Sequence, residues 1–187
     1  MNGSIVPAQT PAATRERVLS FITDKLPLPP FPFLVGRRGY YGDSMGEQGA
    51  NDCNVYDDAL WIVQEDSCVG FNANCDPGKH RPGMANLKVG RWRYRIGIHN
   101  QSKDPVTHPH YEALVQAAPV VVLRDDQGED RGLFGINIHR GGHTVTSSEG
   151  CQTIPPEQWE QFIHDVKVAM SRYGAMELSY ILTSRYA

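Results

Sequence analysis

The chain has no uninterrupted apolar run approaching the ~20 residues that a membrane-spanning helix needs, so no membrane span is expected. It also lacks an excess of charge of either sign. Eighteen Lys and Arg stand against twenty-one Asp and Glu, a formal net charge of −3 with no basic block, which disfavours nucleic acid as a partner. The one basic-aromatic cluster is Arg91-Trp-Arg-Tyr-Arg95. Strand alternation puts its arginines on one face, which reads as a solvated face, with local anion binding left open. The opening Met1-Asn-Gly-Ser-Ile-Val-Pro7 has neither the basic start nor the apolar run of a secretory signal. The chain as given is therefore expected to be made in the cytoplasm. Cysteine is sparse: Cys53, Cys68, Cys75 and Cys151, none in a CxxC pair, so structural zinc is not expected. Cys68 and Cys75 flank a turn-prone segment and read either as a short-loop disulfide, leaving Cys53 free, or as ordinary thiols. His108 and His110 lack further spaced ligands, and no metal or cofactor is implied.

What is present is glycine and proline, 18 and 13 in 187 residues. That composition suits a loop-rich α+β domain, mostly β, better than a helical bundle. Residues 1–11 read as a flexible tail. Val18, Leu19, Phe21, Ile22 and Leu26 recur at helical spacing, predicting an amphipathic helix over Thr14 to Leu26. The proline-rich stretch from Pro27 ends it, so residues 1–30 form an N-terminal tail and helix and 31–187 the main domain. Strands are predicted over Val35 to Tyr41, Val55 to Gln64, Trp92 to Ile98 and Pro119 to Leu123. Asp76-Pro-Gly78, Arg81-Pro-Gly83 and Asp125-Asp-Gln-Gly128 mark turns, and Leu133 to His139 is expected to complete a hairpin. His108 to Ala117 suggests a short helix or turn. Pro155-Pro156 opens a long helix carrying Trp159, Phe162, Ile163, Val166, Met170 and Tyr173, which Gly174 stops. A last strand follows over Met176 to Thr183. Asp57 and Asp58 read as a loop or helix-start pair.

The chemistry concentrates in Gly135-Ile-Asn-Ile-His139 and Ser147-Ser-Glu-Gly-Cys-Gln152. Alternation sends Ile136 and Ile138 to the core, and Asn137 and His139 toward a cleft. Cys151 follows Gly150 in a tight turn before the long helix, a setting for a thiol nucleophile with an imidazole base. Amides at Gly150 and Cys151, with the helix N-terminus, are candidate stabilisers of a thiolate and an oxyanion. A thiol of depressed pKa is expected. His143, in the same loop, and His99, on a similar strand end, are rival bases.

These residues resemble the catalytic core of the L,D-transpeptidases, the YkuD-type peptidoglycan enzymes. His139 matches the first histidine of that family's signature, and Ser148-Glu-Gly-Cys151 matches its Ser/Thr-His-Gly-Cys block. The resemblance is tightest over residues 131–155 and looser over about 85–130. Glu149 stands where the family has histidine, Gln152 where it is usually apolar, and Thr153 where it has Asn or Arg. The resemblance implies an L,D-transpeptidase-like sandwich or barrel with a helix after the cysteine. It implies Cys151 as nucleophile, forming a thioester with a peptidoglycan stem peptide, and His139 as general base. Ser148 or a backbone carbonyl would orient the imidazole, and Gly150 with Cys151 would form the oxyanion hole. Arg140, His143 and Glu149 would contact substrate, with Arg91 to Arg95 as further arginines for its carboxylate. The outcome would be transpeptidation, carboxypeptidase action or D-amino-acid exchange.

Such a substrate lies outside the cytoplasm, in the periplasm or cell wall. The expected routes are a phage lysis enzyme or an antibacterial effector toxin, the latter with a secretion machinery and an immunity protein as partners. The alternatives are another cysteine peptidase, for which a chymotrypsin-like order of His before Cys fits, and a non-catalytic cell-wall-binding or structural module.

Overall fold

The computed structural model describes residues 4–49, 52–79, 81–124 and 127–186. Its elements run α1 (Arg15–Leu19), β1 (Phe33–Arg38), β2 (Asp58–Val63), β3 (Cys68–Ala73), β4 (Asn86–Leu87), β5 (Gly90–His99), β6 (Tyr111–Gln116), β7 (Val120–Arg124), β8 (Gly128–Gly132), β9 (Ile138–Arg140), β10 (Gln152–Ile154), α2 (Pro156–Tyr173) and β11 (Leu178–Ser184). The fold is mostly β with two helices, as the composition predicts.

Eight strands form one sheet in the order β10-β9-β6-β5-β11-β1-β2-β3. Its two edge strands curl toward each other and meet at a bridge between Asn74, just beyond β3, and Thr153 of β10, so the sheet is a nearly closed barrel. The remaining strands, β4, β7 and β8, make a small separate sheet.

The sheet is apolar on both faces where helices cover it. Leu34, Leu60, Phe71, Tyr94, Leu114, Ile138 and Ile154 pack with Trp159, Phe162, Ile163, Val166, Ala169 and Met170, the buried face of α2. Phe33, Val35, Ala59, Trp61, Val63 and Ile181 face outward onto Val18 and Phe21 of the N-terminal segment. That explains why β1 and β2 read as continuous apolar runs rather than alternating ones. Helix α2 has the predicted start and stop: Pro156 sits in its first turn, and Gly174 caps it in the left-handed region at φ 62°.

Several expectations are corrected. The N-terminal helix ends at Leu19 rather than Leu26. Phe21 is drawn out of it against Trp61, ring centroids 5.7 Å apart, and Arg91 then clamps Asp24 and the carbonyls of Leu26 and Pro27. The tail is tied to the domain at two points, Tyr56 N–H donating to Ile5 O and Tyr41 Oη to Gln9 O, while residues 1–3 lie outside the described residues. Tyr111 to Gln116 is a strand and not a helix, because six-residue pairing with β5 outweighs the helical preference of Glu, Ala, Leu and Gln. The hairpin partner of β7 is Gly128–Gly132; Leu133 to Asn137 runs on outside any strand. Of the turn between them, Asp125 and Asp126 lie outside the described residues. Of the two readings of Cys68 and Cys75, that of ordinary thiols holds: both are free, at opposite ends of the β3 segment.

Asp58, the first residue of β2, and Asp57, just before it, are both buried. Asp58 accepts the N–H groups of Gly39 at 2.7 Å and Cys75 at 2.6 Å, and Arg38 pairs with Asp76 at 2.9 Å beside them. Burial holds the Asp58 carboxyl far above its ordinary range and pushes Asp57 up to about 7, with Asp76 adding to both.

Candidate active site

Strands β9 and β10 lie side by side and parallel, with His139 opposite Thr153 and Ile138 opposite Gln152. This register brings Cys151, one residue before β10, beside Asn137, one residue before β9. Asn137 N–H donates to Cys151 Sγ at 3.4 Å, and the thiol donates to Gly135 O at 3.3 Å. Ile138 is buried in the core, as the alternation predicts, and Asn137 and His139 line a pocket of about 970 Å³ together with Cys151, His99, Glu149, Arg95 and Lys103; Ile136, just before the strand, is buried but lines this pocket too.

The loop from Gly141 to Gly150 is tied down at many points. Thr146 N–H donates to Asn54 Oδ1 at 2.8 Å, Gly78 N–H to Ser148 O at 2.9 Å and Tyr56 Oη to Gly142 O at 2.9 Å. Gly150 sits at φ 123°, and a Cβ there would lie 2.3 Å from Ala85 O, so only glycine fits. Ser148 Oγ donates to Cys151 O at 2.7 Å and accepts from Gly150 N–H at 3.1 Å. Its hydroxyl therefore shapes the cysteine turn and does not orient His139. It also occupies the Gly150 amide, so that of the expected pair only the Cys151 N–H has no acceptor among the described residues.

The backbone carbonyl, the other partner foreseen for the imidazole, is the one used. His139 Nδ1 lies 2.8 Å from Arg140 O. A carbonyl only accepts, so Nδ1 carries the proton and Nε2 keeps its lone pair. Tyr111 Oη stands 3.3 Å from Arg140 O, to which it donates, and 3.3 Å from His139 Nδ1, so that the carbonyl is the shorter of the two Nδ1 contacts. The His139 ring stacks on His99, centroids 4.0 Å apart and planes 20° apart, and His99 Nδ1 meets Asn137 Nδ2 at 3.1 Å. Burial, then the neighbouring His99, lowers His139 to about 3. Burial and then Lys103 lower His99 to about 4. Burial raises Cys151 to about 11, opposed by the Asn137 N–H. The expectation of a depressed thiol pKa is thus overturned: thiol and imidazoles rest neutral.

The helix N-terminus does not reach the sulfur either, because β10 intervenes between Cys151 and Pro156. His143 pairs with Glu157 at 2.6 Å on the solvent side of α2, and Arg140 lies over the Tyr111 ring at 5.0 Å; both line a separate depression with Glu160. Neither lines the cysteine pocket, because β9 turns Arg140 to the face opposite His139. Glu149 does stand at the pocket rim, paired with Arg81 at 2.9 Å. Of the arginine strand, Arg91 holds Asp24 and Arg93 holds Glu177, while Arg95 lines the pocket.

Sequence reasoning passed over Gln116, whose Oε1 accepts the N–H groups of Phe134 at 3.0 Å and Ile136 at 2.7 Å and so fixes the turn that presents Gly135 O. It also passed over Tyr111 and Lys103. No spacing rule marks Gln116 and Tyr111, since β6 was not expected to be a strand at all, and Lys103 lies in the turn between β5 and β6.

Among the described residues no group of His, Cys, Asp and Glu is placed to hold a metal ion, and no helix is long and apolar enough to cross a membrane. Comparison with protein-family models, with curated proteins and with solved structures finds no match for this chain.

Proposed function

We propose that the chain is a cysteine-dependent acyl-transfer enzyme acting on peptidoglycan stem peptides. The observation that carries this reading is one pocket lined by both Cys151 and His139, with the imidazole pinned through Nδ1 to Arg140 O so that Nε2 is the free base. In the proposed step Sγ adds to the carbonyl carbon as its proton passes to His139 Nε2. The carbon–nitrogen bond breaks, and the departing amine takes that proton. An amine or water then attacks the thioester carbonyl and gives its proton to His139, from which it returns to Sγ.

The pocket's charges suit a substrate with both signs. Arg95 and Lys103 would meet carboxylates, and Glu149 an ammonium, which is the pattern of a meso-diaminopimelate side chain. Arg95 replaces Arg140 as the arginine in this role. The bond attacked would be that between meso-diaminopimelate and a terminal D-amino acid.

The test is mass spectrometry of tetrapeptide muropeptides incubated with wild type, Cys151→Ala and His139→Ala. Loss or exchange of the terminal D-alanine, or a new cross-linked dimer, is expected with wild type alone. Cleavage at another bond would reject the substrate assignment but keep the thiol enzyme. The raised thiol pKa favours a second reading, a non-catalytic wall-binding module. That reading predicts unchanged muropeptides and sacculus binding that survives Cys151→Ala.

A further inference from the structure

Behind the nucleophile, a buried hydrogen-bond chain ends on the peptide unit that joins Gly150 to Cys151. Tyr180 of β11 and Gln152 of β10 are both wholly buried. Tyr180 Oη donates to Gln152 Oε1 at 3.1 Å, and Gln152 Nε2 donates to Gly150 O at 3.2 Å. The assignment is forced: a carbonyl only accepts, so the NH₂ end of the amide must face Gly150 and the oxygen end is left for the hydroxyl. The Tyr180 ring reaches this place because β1 offers Gly36 beside it; a Cβ there would stand 2.2 Å from Tyr180 Oη.

A trans peptide is planar, so its C=O and N–H point in opposite directions. With Gly150 O held by Gln152, the Cys151 N–H is held pointing the opposite way. It donates to no group among the described residues, whereas the neighbouring Gly150 N–H is taken by Ser148.

We infer that Gln152 and Tyr180 are positioning residues for the oxyanion donor. They hold the Gly150–Cys151 peptide so that the Cys151 N–H meets the oxygen of an acyl group attached at Sγ. The inference rests on the acyl-transfer reading and adds to it a reason for a buried glutamine directly after the nucleophile. A preorganised donor acts only where charge develops on oxygen, so its loss separates reactions that form an oxyanion from those that do not.

The test compares two reagents on wild type, Gln152→Met and Tyr180→Phe. 4-Nitrophenyl acetate acylates Sγ through a tetrahedral oxyanion: the sulfur–carbon bond forms, 4-nitrophenolate leaves, and the thiol proton passes to His139. Iodoacetamide alkylates Sγ by displacement at a saturated carbon, iodide leaving, with no oxyanion. Peptide mapping and a Cys151→Ala control assign both reactions to Cys151. Removing an oxyanion donor outright costs about 10²–10³-fold, so freeing one to swing is expected to slow acylation about 10- to 100-fold in both variants, with alkylation unchanged. Parallel loss of both reactions, or acylation at the wild-type rate, would overturn the inference. A wild type that is alkylated but never acylated at Cys151 would overturn the acyl-transfer reading itself, and this inference with it. If Gln152→Met does not fold, Tyr180→Phe, which keeps the ring over Gly36, decides the matter alone.

Discussion

The resting protonation state of the site sets how Cys151 responds to pH, and the response can be worked out. A thiolate–imidazolium pair would react with iodoacetamide at a rate that stays level through neutral and mildly acid pH. Here the thiol is pushed up to about 11 by burial, and His139 down to about 3 by burial and by the stacked His99. At pH 7 the thiolate fraction is then about 10⁻⁴, against about 3 × 10⁻² for an ordinary thiol, a ratio of about 300. A more basic thiolate is the better nucleophile, and a Brønsted slope of about 0.45 over about 2.5 pKa units returns roughly 13-fold. Alkylation of Cys151 at pH 7 should therefore run about 20-fold slower than that of an ordinary exposed thiol. It should climb with pH without levelling until about pH 11. The assay is the first-order rate of carbamidomethylation of Cys151 against pH, read by peptide mass mapping. An inflection at or below about 8.5, or a low-pH plateau that vanishes in His139→Ala, would refute the neutral pair. Acyl transfer, by contrast, should be level across neutral pH, since His139 is an unprotonated base there and the thiol still holds the proton it must give up.

Three further outcomes follow from the geometry. Asp57 has a folded pKa raised from 3.8 to about 7, so the stability it lends is complete below its unfolded pKa and is lost as pH rises through 7. Asp57→Asn is therefore expected to stabilise the protein at about pH 8 by on the order of 3 kcal/mol, with the gain gone near pH 4; equal urea midpoint shifts at both pH values would contradict this. Arg140→Ala and His143→Ala should leave acylation within about twofold of wild type, because both side chains lie outside the cysteine pocket; a tenfold loss in either would return them to the site. Cys68, Cys75 and Cys151 should label after denaturation without reductant, and Cys75, wholly buried, should resist labelling in the native protein. A cross-linked Cys68–Cys75 peptide would disprove that arrangement.

The parts of the fold that were legible are those with a strong local period. Helix α2 announces itself by Trp159, Phe162, Ile163 and Val166 between proline and glycine. The two-residue period correctly sends Ile138 to the core and Asn137 and His139 to the pocket, but not Ile136, which lines the pocket with them. What depends on distant partners was not legible. Tyr111 to Gln116 carries helical residue types and becomes a strand only because β5 is there to pair with. The N-terminal helix is cut short by an aromatic contact to Trp61, far along the chain. In the site, motif order singled out His139, Cys151 and Ser148, but not their partners. Local backbone geometry gave Ser148 to the Gly150–Cys151 turn and His139 to Arg140 O, and the register of β9 on β10 set Cys151 beside Asn137. It also left Arg140 and His143 on the far side.

The seam where the barrel meets itself has a consequence for how the protein can fail. The turn bearing Cys151 is stitched to residues of the first half of the chain: Thr146 to Asn54 across 92 positions, Gly142 to Tyr56 across 86, and Thr153 to Asn74 by a reciprocal backbone pair. A nascent or nicked chain missing either side of the stitch has nothing to hold the sulfur in place. The nucleophile's surroundings thus come into being only when both halves of the sequence have found each other, which makes the thiol an inbuilt witness of complete folding. Damage anywhere along the seam should silence it all at once and not by degrees.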